Sequence, residues 1–312
     1  MVPTTALGKS GIPVPILGFG SAPVAGLYQK IDDEAAVEVI RAALAQGVTL
    51  FDTAPLYGAG RAETLVGRAL AGVPRERYLI STKVGRVLNA EGGTGFDYSR
   101  DGVLRSLEGS LQRLQTDRVD ILHIHDPDNH QAQALAQALP ALVELREQGV
   151  IRAVGAGMNQ WQALAQFARG GGFDCFLLAG RYTLLEQGSL DFLDLCHAQG
   201  IGILLGGVFN TGILATGAVA DAKHNYRAAS PEVLQRTAAL EADCAAHGVA
   251  LNAAAMHFAK AHPAVATLVI GMASVDEVRR NVAALHADIP PAFWADLRAR
   301  GAVDPKAPLP SI

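Results

Sequence analysis

The chain is poor in the features that mark several large classes of protein. Only three cysteines, Cys175, Cys196 and Cys244, occur among 312 residues, and none are spaced as CxxC. That pattern argues against a disulfide framework or a redox motif, and reduced thiols place the expected location in the cytoplasm. Charged residues make up 18% of the chain and the formal net charge is −4, which offers no basic footprint for nucleic acid or an anionic membrane. No run approaches the ~18 apolar residues of a membrane span, and no basic segment followed by an apolar one opens the sequence. A GxSxG nucleophile motif is missing, as is the GxGxxG turn of a dinucleotide-binding doubly wound sheet; Gly18–Pro23, GFGSAP, has neither the spacing nor a helix behind it.

What is present is a large apolar content and a regular alternation. Half of the residues are hydrophobic and 33 are glycine, enough to fill the core of one barrel-sized domain. Residues 2–15 read as a β-hairpin turning at GKSG, and Ile16–Gly20 as the first core strand. Apolar runs then predict strands at Val48–Phe51, Tyr78–Thr82, Val119–His125, Ile151–Gly155, Cys175–Leu178, Gly202–Leu205 and Thr267–Ile270. Between them fall helical stripes, beginning at Asp32 or Asp33 and continuing at Arg61–Leu70, Arg100–Leu114, Ala134–Gln148, Trp161–Arg169 and Leu190–Ala198. Pro231–His247, Leu251–Ala261, a helix capped by Ser274 and a terminal helix at Pro291–Arg300 complete the series. Roughly eight βα units predict an α/β protein, a (β/α)₈ TIM barrel with an N-terminal β-hairpin and a C-terminal helix, as a single domain over residues 1–312. The two long connections, Gly85–Ser99 and Gly206–Ser230, follow strands and so lie on the face where barrels carry function.

Three residues at strand ends draw attention. Asp52 and Tyr57 stand in FDTAPLYG, just after one strand, and Lys83 stands in STKVG, at the end of the next. A phenol near pKa ~10 is a poor proton carrier at neutral pH, and a neighbouring ammonium favours its phenolate. Making it useful there takes roughly 3–4 kcal/mol of differential stabilisation, an amount expected from a semi-buried Lys–Asp pair. The fourth strand, in DILHIHDP, alternates so that His125 reaches the barrel mouth and His123 lies one layer deeper, as a core residue. The HxH pair is also compatible with a metal site, but the remaining histidines fall in helices or loops, so no metal is expected.

These motifs resemble the aldo-keto reductase family from the hairpin to the helix after the last strand. The resemblance implies a catalytic tetrad of Asp52, Tyr57, Lys83 and His125, with NAD(P) lying across the C-terminal face of the barrel. Tyr57 would exchange the substrate proton while hydride passes between substrate carbon and nicotinamide. Lys83, held by Asp52, would keep the phenol acidic, and His125 would orient the reacting oxygen. GFGSAPVAGLY, DTAPLYGAGRAE, STKVGR, HDPD and GAGMNQ are similar to a narrower branch, the 1-dehydrogenases of L-fucose, L-galactose, D-arabinose and related D-threo aldoses. A pyridoxal 4-dehydrogenase branch is similar too. The expected function is oxidation of the anomeric carbon to a lactone. Pyridoxal or another small aldehyde or ketone is the alternative substrate, and a non-catalytic cofactor-sensing interaction protein is the alternative of another class.

The resemblance also implies cofactor contacts. Asn159 takes the carboxamide, in a stretch that departs from the family's usual Ser-Asn. Gly206-Gly207-Val208-Phe209 stands where many relatives have a stacking tyrosine, leaving Phe209 as the candidate. Gly207 and Gly212 suit a close approach of pyrophosphate. Gly271 and Glu277 fall where NADP-preferring relatives carry a lysine and an arginine, and Ser274 and Asn281 complete the site. A carboxylate at Glu277 accepts from a ribose diol and repels a phosphate, so NAD is preferred, with NADP the alternative through Arg279 or Arg280. Tyr28, Phe96, Tyr98 and Trp161 are the candidate lining of the mouth for a small sugar or aldehyde. A monomer or small homo-oligomer is expected, with no nucleic acid or membrane as partner.

Overall fold

In the computed structural model, which describes residues 2–27, 30–88 and 93–310, alternating strands and helices wind into one closed barrel. Its strands are β1 (Leu17–Gly20), β2 (Leu50–Asp52), β3 (Leu79–Val84), β4 (Ile121–His125), β5 (Ala153–Met158), β6 (Cys175–Ala179), β7 (Gly202–Gly206) and β8 (Val265–Gly271). All neighbours pair in parallel and in chain order, and β8 closes on β1 through Leu268–Leu17 and Gly271–Gly20. Outside them lie α1 (Asp33–Ala45), α2 (Arg61–Leu70), α3 (Arg100–Leu114), α4 (Leu139–Glu147), α5 (Trp161–Gly170), α6 (Leu190–Gln199), α7 (Pro231–Ala246), α8 (Leu251–Ala261), α9 (Val275–Leu285) and α10 (Pro291–Ala299). The expected (β/α)₈ architecture is therefore the observed one.

Two apolar cores follow from the alternation of side chains along each strand. Residues facing outward, such as Phe19, Phe51, Leu122, Ile124 and Phe176, pack beneath the helices. Residues facing inward, among them Leu50, Ile121, Leu177 and Leu204, fill the barrel. The N-terminal hairpin, Thr4–Ala6 against Pro13–Pro15, adds Leu7, Ile12 and Val14 to that inner core. It plugs one end of the barrel, and Lys9 donates its backbone N–H to Gly200 O.

The same end is stapled by two aspartates just before strands. Asp120 accepts the Ile80 N–H at 2.9 Å and pairs with Arg75 at 2.6 Å. Asp174 does likewise with the Val154 N–H at 2.9 Å and Arg146 at 2.5 Å. Asp120 is spent in this way, so the fourth strand begins at Ile121 rather than at the expected Val119.

The fifth strand differs at both ends, running Ala153–Met158 instead of Ile151–Gly155. Its glycines made it look finished early, but Gly155 is bare because the His123 ring of β4 fills the space a Cβ would need. The extension brings Asn159 directly to the end of the strand. The helix expected at Ala134–Gln148 is also interrupted, with a π turn over Ala134–Ala138 ahead of α4. Pro140 has no N–H and its ring crowds the carbonyl four residues back, which the wider turn relieves. Each long connection contains a two-stranded ribbon, Arg86–Leu88 with Thr94–Phe96 and Lys223–His224 with Arg227–Ala228. Among the described residues no helix is long and apolar enough to cross a membrane.

Leu7 is fully buried in the inner core. Leu7→Ala should therefore lower stability by about 2–5 kcal/mol in urea denaturation. A loss below ~0.5 kcal/mol would show that the hairpin does not hold the barrel.

Candidate active site

β2, β3 and β4 end side by side, and their last inward residues meet at the open mouth. Asp52 and Lys83 are both buried there, with Nζ 2.7 Å from Oδ2. Lys83 also donates to Thr53 O at 2.8 Å, and Ser81 Oγ donates to the second Asp52 oxygen at 2.8 Å. Every charge of the pair is thus met by a partner, as burial demands. Tyr57 arrives from the loop after β2. Its ring lies over Lys83, Nζ to centroid 4.8 Å, and meets His125 edge-on at 5.9 Å between centroids. The structure brings Asp52, Tyr57, Lys83 and His125 into one cluster.

Their electrostatics differ from the expectation in one respect. Burial pushes the Tyr57 phenol above its ordinary pKa, and the opposing pull of Lys83 does not overcome it. Asp52 adds to that rise, offsetting part of the field that Lys83 exerts on the phenol. Tyr57 therefore rests as a neutral phenol in the protein alone. Burial works against charge on Lys83 too, but Asp52 and then Tyr57 outweigh it and hold its pKa above the usual lysine value. His125 is held well below 6.5 by burial and then by Lys83 and Arg86, so it is a neutral imidazole. Such a ring carries one donor and one acceptor nitrogen.

A cavity of about 440 Å³ opens over the cluster, its walls including Tyr57, Lys83, His125, Asn159 and Leu177. Asn159 donates from Nδ2 to Ala179 O at 2.8 Å, which fixes the amide at the rim. Arg86, Asp126 and Tyr226 also line it and went unread in the sequence. Tyr226 lies in a ribbon of the second long loop, where the Asn225-Tyr226 turn takes positive φ at both residues, 50° and 66°. An Asn at such a position is the only local signal for that turn.

The remaining candidates are spread around the mouth or away from it. Gly207 is exposed main chain at φ 63°, and a Cβ there would sit 2.8 Å from Gly180 N, so packing alone already requires glycine. Gly212, at φ 104°, opens the short helix Ile213–Thr216. Phe209 packs partly buried against the outer core and is not part of the cavity wall. Gly271 lies against Pro23, whose Cγ would be 2.6 Å from an added Cβ. Ser274 caps α9 by accepting the Glu277 N–H at 3.1 Å, and Glu277 reaches back to the Ala273 N–H at 2.7 Å, a reciprocal capping box. Asn281 is buried on the same helix.

Of the residues expected at the mouth, Tyr28 lies outside the described residues. Phe96 is exposed and packs on His130 at 4.9 Å, and Trp161 starts α5 against the outer core; neither lines the cavity. Tyr98 is fully buried, its hydroxyl 2.8 Å and 2.9 Å from the carbonyls of His125 and Asp126, where it locks the end of β4.

A charged cluster at the C-terminal mouth of a parallel barrel, under a phenol and an imidazole, is the arrangement of a barrel enzyme that moves a proton at a buried centre. The chain belongs to the aldo/keto reductase family, whose sequence model matches residues 16–301, and it is an oxidoreductase. It is 38% identical to a pyridoxal 4-dehydrogenase from Microbacterium luteolum, over 96% of this chain and 97% of that protein. A D-threo-aldose 1-dehydrogenase from a Pseudomonas species is 34% identical over 94% and 95%. Among solved structures, an aldo-keto reductase from Bacillus halodurans in its holo form superposes with a TM-score of 0.82 at 25% identity, covering 96% of each chain.

Burial pushes His123 from 6.5 down to about 3, with Lys83 adding to the shift. The unfolded chain takes up a proton there below about 6.5 while the folded chain does not, so stability falls as pH drops from about 6.5 toward 3. The slope approaches ~1.4 kcal/mol per pH unit for that histidine. Melting curves of the wild type and His123→Leu across this window should show a shallower pH dependence in the variant; parallel curves would place the proton uptake elsewhere.

Proposed function

We propose that this protein oxidises a small cyclic hemiacetal to its lactone with a nicotinamide dinucleotide as hydride acceptor, an aldose of the L-fucose type being the favoured substrate. The carrying observation is the buried Lys83–Asp52 pair beneath Tyr57, with neutral His125 edge-on to the phenol. Two full-length relatives named for pyridoxal and for D-threo-aldoses support the substrate class. Pyridoxal carries a hydroxymethyl group beside its aldehyde and closes to a hemiacetal, so the two substrates share one reacting group.

The residues at the mouth fit the dinucleotide. Gly207 and Gly271 leave exposed main chain beside the cavity, Asn159 stands fixed at its rim, and the N-terminus of the eleven-residue α9 lies just beyond Gly271. A bound dinucleotide would supply the hydride acceptor. Asn159 would hold the carboxamide, Gly207 and Gly212 would border the pyrophosphate, and Ser274, Glu277 and Asn281 would border the adenosine. Phe209 has no place against the nicotinamide in this reading, because it faces the outer core. Tyr226, which lines the cavity, is the aromatic residue proposed there instead.

The chemistry assigned to the chain's own groups follows from their charge states. His125 hydrogen-bonds the reacting oxygen and fixes its position. In the oxidative direction Tyr57 takes the hydroxyl proton, for which it must first be a phenolate; Lys83 is the charge that favours that form. In the reductive direction the neutral phenol found here donates directly to the carbonyl oxygen. Lys83 cannot leave its post, since both its partners are fixed in the barrel wall. The protein acts in this reading as a cytoplasmic enzyme, monomer or small homo-oligomer.

Tyr57→Phe removes the hydroxyl and with it the exchangeable proton, while keeping the ring. It should lower kcat by ~10³-fold or more while NADH still binds, as read by nucleotide fluorescence. Turnover retained within tenfold would remove the proton role of Tyr57. Selection of NAD rests on the Glu277 charge, and Glu277→Gln keeps the capping bond to Ala273 while removing that charge. The NAD-over-NADP ratio of kcat/KM should narrow by about tenfold; an unchanged ratio would mean the 2′ position is read elsewhere.

A further inference from the structure

Outside the tetrad, one ion pair among the described residues shares the cavity. Arg86 Nη1 donates to Asp126 Oδ2 at 2.8 Å, and both side chains line the space above Tyr57 and His125. Asp126 Oδ2 also lies 3.6 Å from His125 Nε2, so the pair borders the imidazole that faces the reacting oxygen. Ala22, Ala25, Leu27, Leu56 and Leu177 form an apolar arc, with Asn159 and Tyr226 as uncharged polar residues elsewhere in the wall. Charge outside the tetrad is therefore concentrated, among the described residues, on one side.

That side is built rather than incidental. Asp126 adopts φ 45°, a left-handed conformation that favours glycine and that aspartate tolerates better than most residues. Its N–H is bonded to Gly157 O at 3.0 Å and its carbonyl accepts from Tyr98, which fix the backbone in that state. The Arg86 guanidinium rests over the Phe96 ring at 5.5 Å, which steadies it from the far side. Each partner stays about a quarter exposed, with side-chain values of 26% and 28%, so both keep free hydrogen-bonding capacity toward the cavity.

We propose that Arg86 and Asp126 form the hydroxyl-reading wall of the substrate site, selecting an uncharged ring that carries adjacent hydroxyls next to the reacting carbon. This rests on the lactol-oxidation reading above and extends it to specificity. The carboxylate accepts from one hydroxyl while the guanidinium donates to its neighbour, a match that a vicinal diol offers and a bare ring does not. Because the pair is nearly neutral in sum, it gives no net attraction to an anionic substrate. A substrate lacking the hydroxyls strips water from both charges without replacing it, and that loss is the basis of rejection.

The test compares two lactols with the same reacting group, L-fucose and tetrahydropyran-2-ol, which has no ring hydroxyls beyond the anomeric one. Initial rates with NAD would be measured for the wild type, Asp126→Asn and Arg86→Lys, with NADH affinity followed by fluorescence. The wild type should favour L-fucose by about 100-fold in kcat/KM, and each variant should cut that preference at least tenfold with NADH affinity held within threefold. Equal losses on both lactols would overturn the proposal and leave the pair as a brace for the Arg86–Phe96 ribbon. A wild type that oxidises tetrahydropyran-2-ol but not L-fucose would also overturn it while the lactol reading stands. No turnover of either lactol would remove both.

Discussion

Everything at the mouth of this barrel depends on keeping one lysine charged where there is almost no water. Lys83 is buried to within 1% of complete exclusion, and an ammonium in such a place survives only with a carboxylate and further acceptors in fixed positions. Asp52 and the Thr53 carbonyl provide them, from the strand next door. Breaking a buried pair of this kind by deleting one partner costs about 3–5 kcal/mol, so the pair ties the chemistry to the closure of β2 on β3. The opposite end of the barrel is held by other means, the hairpin plug and the Asp120 and Asp174 staples.

The Lys83–Asp52 pair has a second consequence. Being nearly neutral, it does not by itself make Tyr57 acidic, and burial leaves the phenol above its ordinary pKa. The resting site is therefore set to give a proton rather than take one. In the proposed function the neutral phenol serves reduction directly, and oxidation calls on its phenolate, the form that Lys83 favours. The same four groups would then serve both directions.

The barrel was legible because its periodicity is strong. Apolar runs separated by helical stripes gave the strand order, and the strand ends carrying Asp52, Lys83 and His125 followed from counting along them. Boundaries failed where glycine or aspartate had a tertiary reason: Gly155 makes room for His123, and Asp120 is used as a staple. Mouth residues were much harder to read. Tyr98 and Trp161 look like rim aromatics in sequence, yet each is drawn into packing by neighbours distant along the chain. Arg86, Asp126 and Tyr226 reach the cavity through ribbons and a left-handed turn, which carry no hydrophobic period. The raised pKa of Tyr57 was hidden for a related reason, because residue types announce a neighbouring charge but not how deeply the phenol is buried.

The central claim is that this cluster takes the proton from the anomeric hydroxyl of an aldose while the hydride on the same carbon passes to a nicotinamide. Its most direct test is the initial rate of reduced-nicotinamide formation when purified protein meets NAD and L-fucose, with pyridoxal in a parallel reaction. The account predicts prompt reduction of NAD with L-fucose and formation of the corresponding lactone. Reduction with pyridoxal alone would contradict the sugar assignment, and no reduction with either, although nucleotide binds, would contradict the enzymatic account of the site.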